Sequence, residues 1–67
     1  MSTWYTAHFG SWNTPEGVRR IGGTFSRKEI FSKAQEAANE YNAVVSVIGE
    51  TGSPRGLITK VYKVTPM

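Results

Sequence analysis

The stretch from Phe25 to Asn42 constrains this chain more than any other, because nearly every mark of an α-helix falls inside it. Ser26 followed by Glu29 is an S-x-x-E capping box, in which each side chain satisfies a backbone N–H at the helix start. Phe25 and Ile30 stand at the two positions of a hydrophobic staple. Ile30, Ala34, Ala37, Ala38 and Tyr41 follow the i, i+4, i+7, i+8 rule and form one apolar stripe. Glu29 and Lys33 are an i, i+4 ion pair in the better orientation. Asn42 suits the left-handed residue that closes a helix. The spacing predicts a helix over 27–41.

A strand pattern precedes the helix. Thr3 to Phe9 is rich in aromatics and threonine and reads as a β-strand. Alternation puts Trp4, Thr6 and His8 on one face, and Tyr5, Ala7 and Phe9 on the other. The second set is more apolar and is expected to face the helix. Residues 10–17 read as a loop, with Asn13-Thr14-Pro15-Glu16-Gly17 as turn chemistry. Val18 to Phe25 reads as a second strand, with Arg19, Ile21, Gly23 and Phe25 toward the helix and Val18, Arg20, Gly22 and Thr24 away from it. Two adjacent glycines in this strand point to a bulge or to the close approach of another group.

Two further strands follow. Ala43 to Ile48 is β-branched and short, as a buried strand would be. Residues 49–56 read as a second loop, and Leu57 to Val64 as a fourth strand. Its inward face is open on the sequence: Leu57 and Val61 compete with Ile58, Tyr62 and Val64. Pro66 ends the sheet, since proline cannot donate to a ladder. The two loops share the spacing G-x-x-x-x-P-x-G, at 10–17 and 49–56, by chance or by duplication of a hairpin. The fold class expected is α+β in the order ββαββ: a four-stranded sheet with one helix packed on one face, as a single domain over 1–67. A 15-residue helix rises about 22 Å and a seven-residue strand spans about 23 Å. The helix therefore returns the chain across the sheet. The loops are then expected at opposite ends, with strands two and three in the same direction, joined by a right-handed crossover. The far sheet face is expected to be open.

Composition narrows the chemistry. The chain has 67 residues and no cysteine, so no disulfide or thiolate–metal site can reinforce a thin core. It has no long apolar run and no basic-then-apolar leader, so neither a membrane span nor a signal peptide is expected, nor a membrane partner, and the lack of cysteine fits an intracellular, reducing setting. Eight Lys/Arg against five Asp/Glu leave a net charge of +3, compatible with nucleic acid or an acidic protein surface. His8 is the single histidine. There is no Cys/His cluster for zinc, no H-E-x-x-H and no P-loop order. A serine triad would need a base that only His8 supplies. The expectation is a non-enzymatic protein without cofactor, metal or catalytic residue.

Three groups are candidates for a partner-binding surface. The open sheet face carries Trp4, Thr6, His8, Arg20 and Thr24, and aromatics interleaved with a cation serve nucleic-acid and protein interfaces alike. Arg19, Arg20, Arg27 and Lys28 form a basic cluster near the helix start. Arg27 and Lys28 oppose the helix dipole there, as groups that help hold an anion do. Arg55, at the tip of the second loop with Lys60 and Lys63 beyond it, is a third. Glu36 and Glu40 mark a solvated outer helix face.

Three resemblances bear on function. The run from Phe25-Ser26 through Tyr41, then Val44 to Ile48 and a Gly-containing loop and strand, resembles a family of short bacterial proteins of unknown function with the same element order. Size, basic balance and element order are also similar to small phage anti-CRISPR proteins. That likeness implies an inhibitor that occupies the nucleic-acid-binding surface of a CRISPR effector complex. Gly23-Thr24-Phe25 leading into a helix with Ala37-Ala38 and Tyr41 resembles AP2-type DNA-binding domains, which place three strands before the helix where this chain has room for two. The leading expectation is a phage or mobile-element inhibitor docking on a host nucleic-acid-handling complex through Trp4, His8, Arg19, Arg20, Arg27, Lys28 and Arg55. The alternatives are direct DNA or RNA binding by the same residues, and a structural homodimer.

Overall fold

A computed structural model of the protein describes residues 2–10 and 19–67, with the side chain of Arg19 left aside. Two strands, β1 (Thr3–Phe9) and β2 (Arg19–Thr24), precede the helix α1 (Arg27–Tyr41), and β3 (Val45–Ser53) and β4 (Gly56–Val64) follow it. The strands form one antiparallel sheet in the order β2-β1-β3-β4, with α1 on one face. This is the α+β, ββαββ architecture that the sequence pattern implies. β2 and β3 run in the same direction with β1 between them, so the helix carries the chain over β1. The Ser53–Gly56 turn and the Phe9/Arg19 strand ends lie at opposite ends of the sheet.

The helix forms where its signals place it. Ile30, Ala34, Ala37 and Ala38 are buried as the stripe requires. They pack on Ala7, Val45, Val47 and Val64, with Tyr5, Phe9, Ile21, Phe31 and Tyr62 at the margins. Four alanines in this core let helix and sheet approach closely. They leave Ile30, Val45 and Val47 as its largest fully buried apolar side chains, each worth about 1.5–3 kcal/mol of burial. At the other end Asn42 adopts φ 49°, ψ 49°. Ala43 N–H then donates to the Ala38 carbonyl at 3.1 Å, the 6→1 bond of a Schellman closure. Strand β3 consequently begins at Val45 rather than Ala43.

The helix start differs from the expected box in its second half. Ser26 Oγ accepts from Glu29 N–H at 3.3 Å. The Ser26 N–H donates instead to Thr24 Oγ1 at 3.1 Å, and Thr24 Oγ1 donates to Glu29 Oε2 at 3.3 Å. Thr24 stands between serine and glutamate and relays the second bond. The staple is absent: Phe25 is 66 % exposed and packs edge-on against Trp4, with centroids 4.7 Å apart. Tyr41 ends the stripe at 62 % exposed, held edge-to-face on Phe9.

The β1 faces are as alternation predicts, but those of β2 are not. The β1–β2 register shifts between Ala7 and His8, leaving Ile21 as the extra residue of a bulge. Beyond the bulge the parity inverts. Gly22 pairs with Ala7 and Thr24 with Tyr5 on the helix side, while Gly23 pairs with Thr6 on the other. The assignments of Gly22, Gly23 and Thr24 from strict alternation are corrected accordingly.

Strands β3 and β4 are longer than expected. Gly49 to Ser53 belong to β3, and the connection is the two-residue turn Pro54-Arg55. Gly49 is a strand residue that makes room for an aromatic: a Cβ there would lie 3.0 Å from Tyr5 Cε1. The second G-x-x-x-x-P-x-G stretch is thus mostly strand, and residues 11–17 of the first lie outside the described residues. Tyr62 and Val64 settle the inward face of β4, carrying Ile58 and Lys60 with them. Leu57, Thr59, Val61 and Lys63 point the other way. The sheet face away from the helix is not open throughout, since Ser46 and Ile48 on it are 1 % and 5 % exposed.

Candidate binding surface on the sheet face

Cross-strand register assembles the face away from the helix into rows. Arg20, His8, Ser46 and Lys63 form one, and Gly23, Thr6, Ile48 and Val61 the next. Trp4, Glu50 and Thr59 form a third, with Phe25 packed on Trp4 from beyond the end of β2. Trp4, Thr6, His8 and Arg20 are therefore brought together as expected, and Thr24 is not.

Gly23 is what allows the patch to form. A Cβ at that position would lie 2.6 Å from both Trp4 Cζ2 and Arg20 Nη2. The indole and the guanidinium end thus share the space that a side chain would occupy. The bulge turns Gly23 toward this face, and the missing side chain leaves the space that the edge of the Trp4 ring occupies. Phe25 then packs edge-on against the indole, in a geometry aromatic pairs favour. The result is an aromatic pair, Trp4 half-buried on β1 and Phe25 exposed just past β2, with a cation beside it.

His8 sits between this patch and the next strand. Its Nε2 is 3.2 Å from Thr6 Oγ1, and its buried Nδ1 has no hydrogen-bond partner among the described residues. Burial pushes the His8 pKa below its usual 6.5, and the positive charge of Arg20 adds to the effect. The ring is therefore held neutral near pH 7. Ser46 beside it donates to the Gly10 carbonyl at 2.6 Å, tying the end of β1 to β3. No group of three or more His, Cys, Asp or Glu that could hold a metal occurs among the described residues.

The expected basic cluster is not assembled. Arg27 lies on the opposite side of the sheet from Arg20, its guanidinium carbon 5.1 Å from the Phe31 ring centroid and 5.6 Å from that of Tyr62. Stacking on two rings, rather than anion binding, explains a cation in the first helical turn. Lys28 is exposed beside Ser26, Glu29, Ser32 and Lys33. Arg55 is exposed at the β3–β4 turn. Arg19 is placed by its backbone alone, which pairs with Phe9. On the helix side, a shallow groove of about 290 Å³ runs between Phe9, Ile21, Ala37 and Tyr41, rimmed by Lys33, Glu36 and Glu40.

Phe25 is the surface residue that strict alternation misassigned, and Leu57 and Val61, whose facing the sequence left open, extend the face toward β4. The signal that could have found it was the Gly22-Gly23 pair, since a bulge there inverts every later face. No protein-family model, curated protein or solved structure matches this chain. No helix among the described residues is long and apolar enough to cross a membrane.

Proposed function

We propose that this chain is a small non-enzymatic binding module whose target is a host protein complex that handles nucleic acid. In this reading it is a phage or mobile-element inhibitor, acting in the bacterial cytoplasm as the anti-CRISPR proteins of similar element order do. It works by covering the partner's surface with Trp4, Phe25 and Arg20. The observation that carries the reading is the pairing at 4.7 Å of half-buried Trp4 with exposed Phe25, with Arg20 against the same glycine as Trp4. Tryptophan and arginine dominate the energetics of protein interfaces, and a pre-formed aromatic pair loses little entropy on docking.

Charge layout favours a protein target over nucleic acid. Glu50 stands directly across from Trp4 on the same face, where a stacked strand would bring phosphates. Arg20, Arg27 and Arg55 lie on different parts of the surface rather than along one track. The row from Arg20 to Lys63 supports the rival reading, direct DNA or RNA binding. That reading requires affinity that falls steeply with salt, in proportion to phosphates neutralised.

The test compares the native chain with Arg20→Glu in capture from a bacterial lysate, with and without nuclease, after circular dichroism shows that both are folded. The proposal expects a protein complex to be retained after nuclease by the native chain and lost by Arg20→Glu. Capture of nucleic acid alone, abolished by nuclease, would replace it with the rival. Capture unaffected by Arg20→Glu would place the interface elsewhere and refute it.

A further inference from the structure

The two edges of the sheet are unlike. β2 is six residues long, bulged, and contains two adjacent glycines. Short length and a bulge are devices that blunt an edge against pairing. β4 is nine residues long and pairs with β3 without a register shift. Among the described residues no strand occupies its outer side. It also holds three of the exposed large apolar residues: Leu57 at 63 %, Ile58 at 49 % and Val61 at 43 %. No proline interrupts it, and α1 lies mainly over the other three strands. A long, regular edge with apolar side chains on both faces is a template for another strand.

We infer that the β4 edge pairs antiparallel with the β4 edge of a second copy of this chain, joining two four-stranded sheets into one. The occupant follows from self-complementarity. With the two-fold axis normal to the sheet, residues of like facing meet. An axis at Lys60 would oppose two lysines. An axis at Val61 would leave Leu57, the most exposed apolar residue of the strand, with no partner inside β4. An axis at Thr59 pairs Leu57 with Val61 twice on one face and Ile58 with the stem of Lys60 twice on the other, with no like charges opposed within the paired segment. It also keeps clear of the chain end, where the Thr65 carbonyl accepts from Gln35 and the Met67 N–H donates to Asn39. Lys63 meets the second copy's Arg55 only at the solvent-exposed rim.

The pairing has a consequence for the open face. Both helices lie on one side, so both Trp4–Arg20 patches face the other way on a continuous sheet. Five strand spacings separate one β1 from the other, roughly 24 Å. The dimer would present two copies of the patch on one surface. The inference stands on the edge itself and is independent of what the patch binds.

The chain has no cysteine, so a single introduced thiol reports the register. Residues opposite each other across a strand pair have Cα atoms about 4.5–5.5 Å apart, within disulfide range. Thr59→Cys should oxidise to a covalent dimer faster than Ser32→Cys, a control on the exposed helix surface. In sedimentation, the mass of the native chain should rise with concentration from 7.4 kDa toward twice that value, and Val61→Lys should stay at one chain. A native chain of constant one-chain mass would overturn the inference. So would Thr59→Cys that cross-links no faster than the Ser32→Cys control.

Discussion

Replacing Gly23 by alanine puts a methyl group where two side chains already sit. The new carbon would be 2.6 Å from Trp4 Cζ2, 2.6 Å from Arg20 Nη2 and 3.3 Å from Trp4 Cε2. Arg20 can give way, because its contact is the far end of a flexible chain. The indole cannot give way as easily, since it is rigid and packed against Phe25. Overpacking of this kind costs about 1–3 kcal/mol. The restricted unfolded chain returns about 0.4–1 kcal/mol. The net expectation is a loss of about 1–2 kcal/mol, which in a domain of this size lowers Tm by roughly 5–15 °C. Gly52→Ala is the control: a Cβ there meets nothing within 4 Å, so its stability should stay within about 0.5 kcal/mol of native. Thermal melts give the comparison, and the Trp4 indole N–H resonance shows whether the ring moves. Trp4→Ala combined with Gly23→Ala should cost less than the two single changes together, because the clash is then gone. If Gly23→Ala melts like Gly52→Ala and leaves the Trp4 resonance in place, the ring does not lie on Gly23 and the patch as described is wrong.

Three further outcomes follow from the same geometry. Ser26→Ala should lose about 1 kcal/mol as a helix cap; Thr24→Val should lose somewhat less, and in denaturant melts the pair should couple, because Thr24 bridges Ser26 N–H to Glu29. The folded state holds the His8 pKa below 6.5, so the unfolded chain binds more protons as pH falls below that value. The His8 contribution is thus present above pH 6.5 and lost on acidification toward the lowered folded-state pKa. Urea midpoints should drop over that window, and drop less in His8→Gln. Lys33→Ala should change stability by less than about 0.5 kcal/mol in the same melts, because the 3.4 Å Lys33–Glu29 pair is half exposed on both sides.

The helix was legible almost residue by residue because its signals are local: a cap, a period and a left-handed stop. Strand β1 was legible for the same reason, since alternation needs no partner to be seen. What the chain did not disclose is what depends on pairing. The bulge at Ile21 is visible only against β1, and it reverses the facing of Gly22, Gly23 and Thr24. Gly49 looks like a loop residue until β1 and β4 are placed on either side of it, and Gly52 until it pairs with Leu57 of β4. Phe25 sat at a staple position, but Trp4 offered it a better contact than the helix did. Of the candidate surface, the Trp4, Thr6, His8 and Arg20 set was readable from period two. The cluster of Arg20 with Arg27 and Lys28 was a product of nearness in sequence, which the sheet between Arg20 and Arg27 undoes.

In the proposed function, Trp4, Phe25 and Arg20 form the face that meets a partner. The most direct test is a hydrogen-exchange and chemical-shift footprint of the captured partner on the isotopically labelled chain. Protection and shifts are expected at Trp4, Thr6, Arg20 and Phe25, with Lys28, Glu36 and Glu40 on the helix unchanged. A footprint centred on the outer helix face, with the Trp4 indole undisturbed, would contradict it.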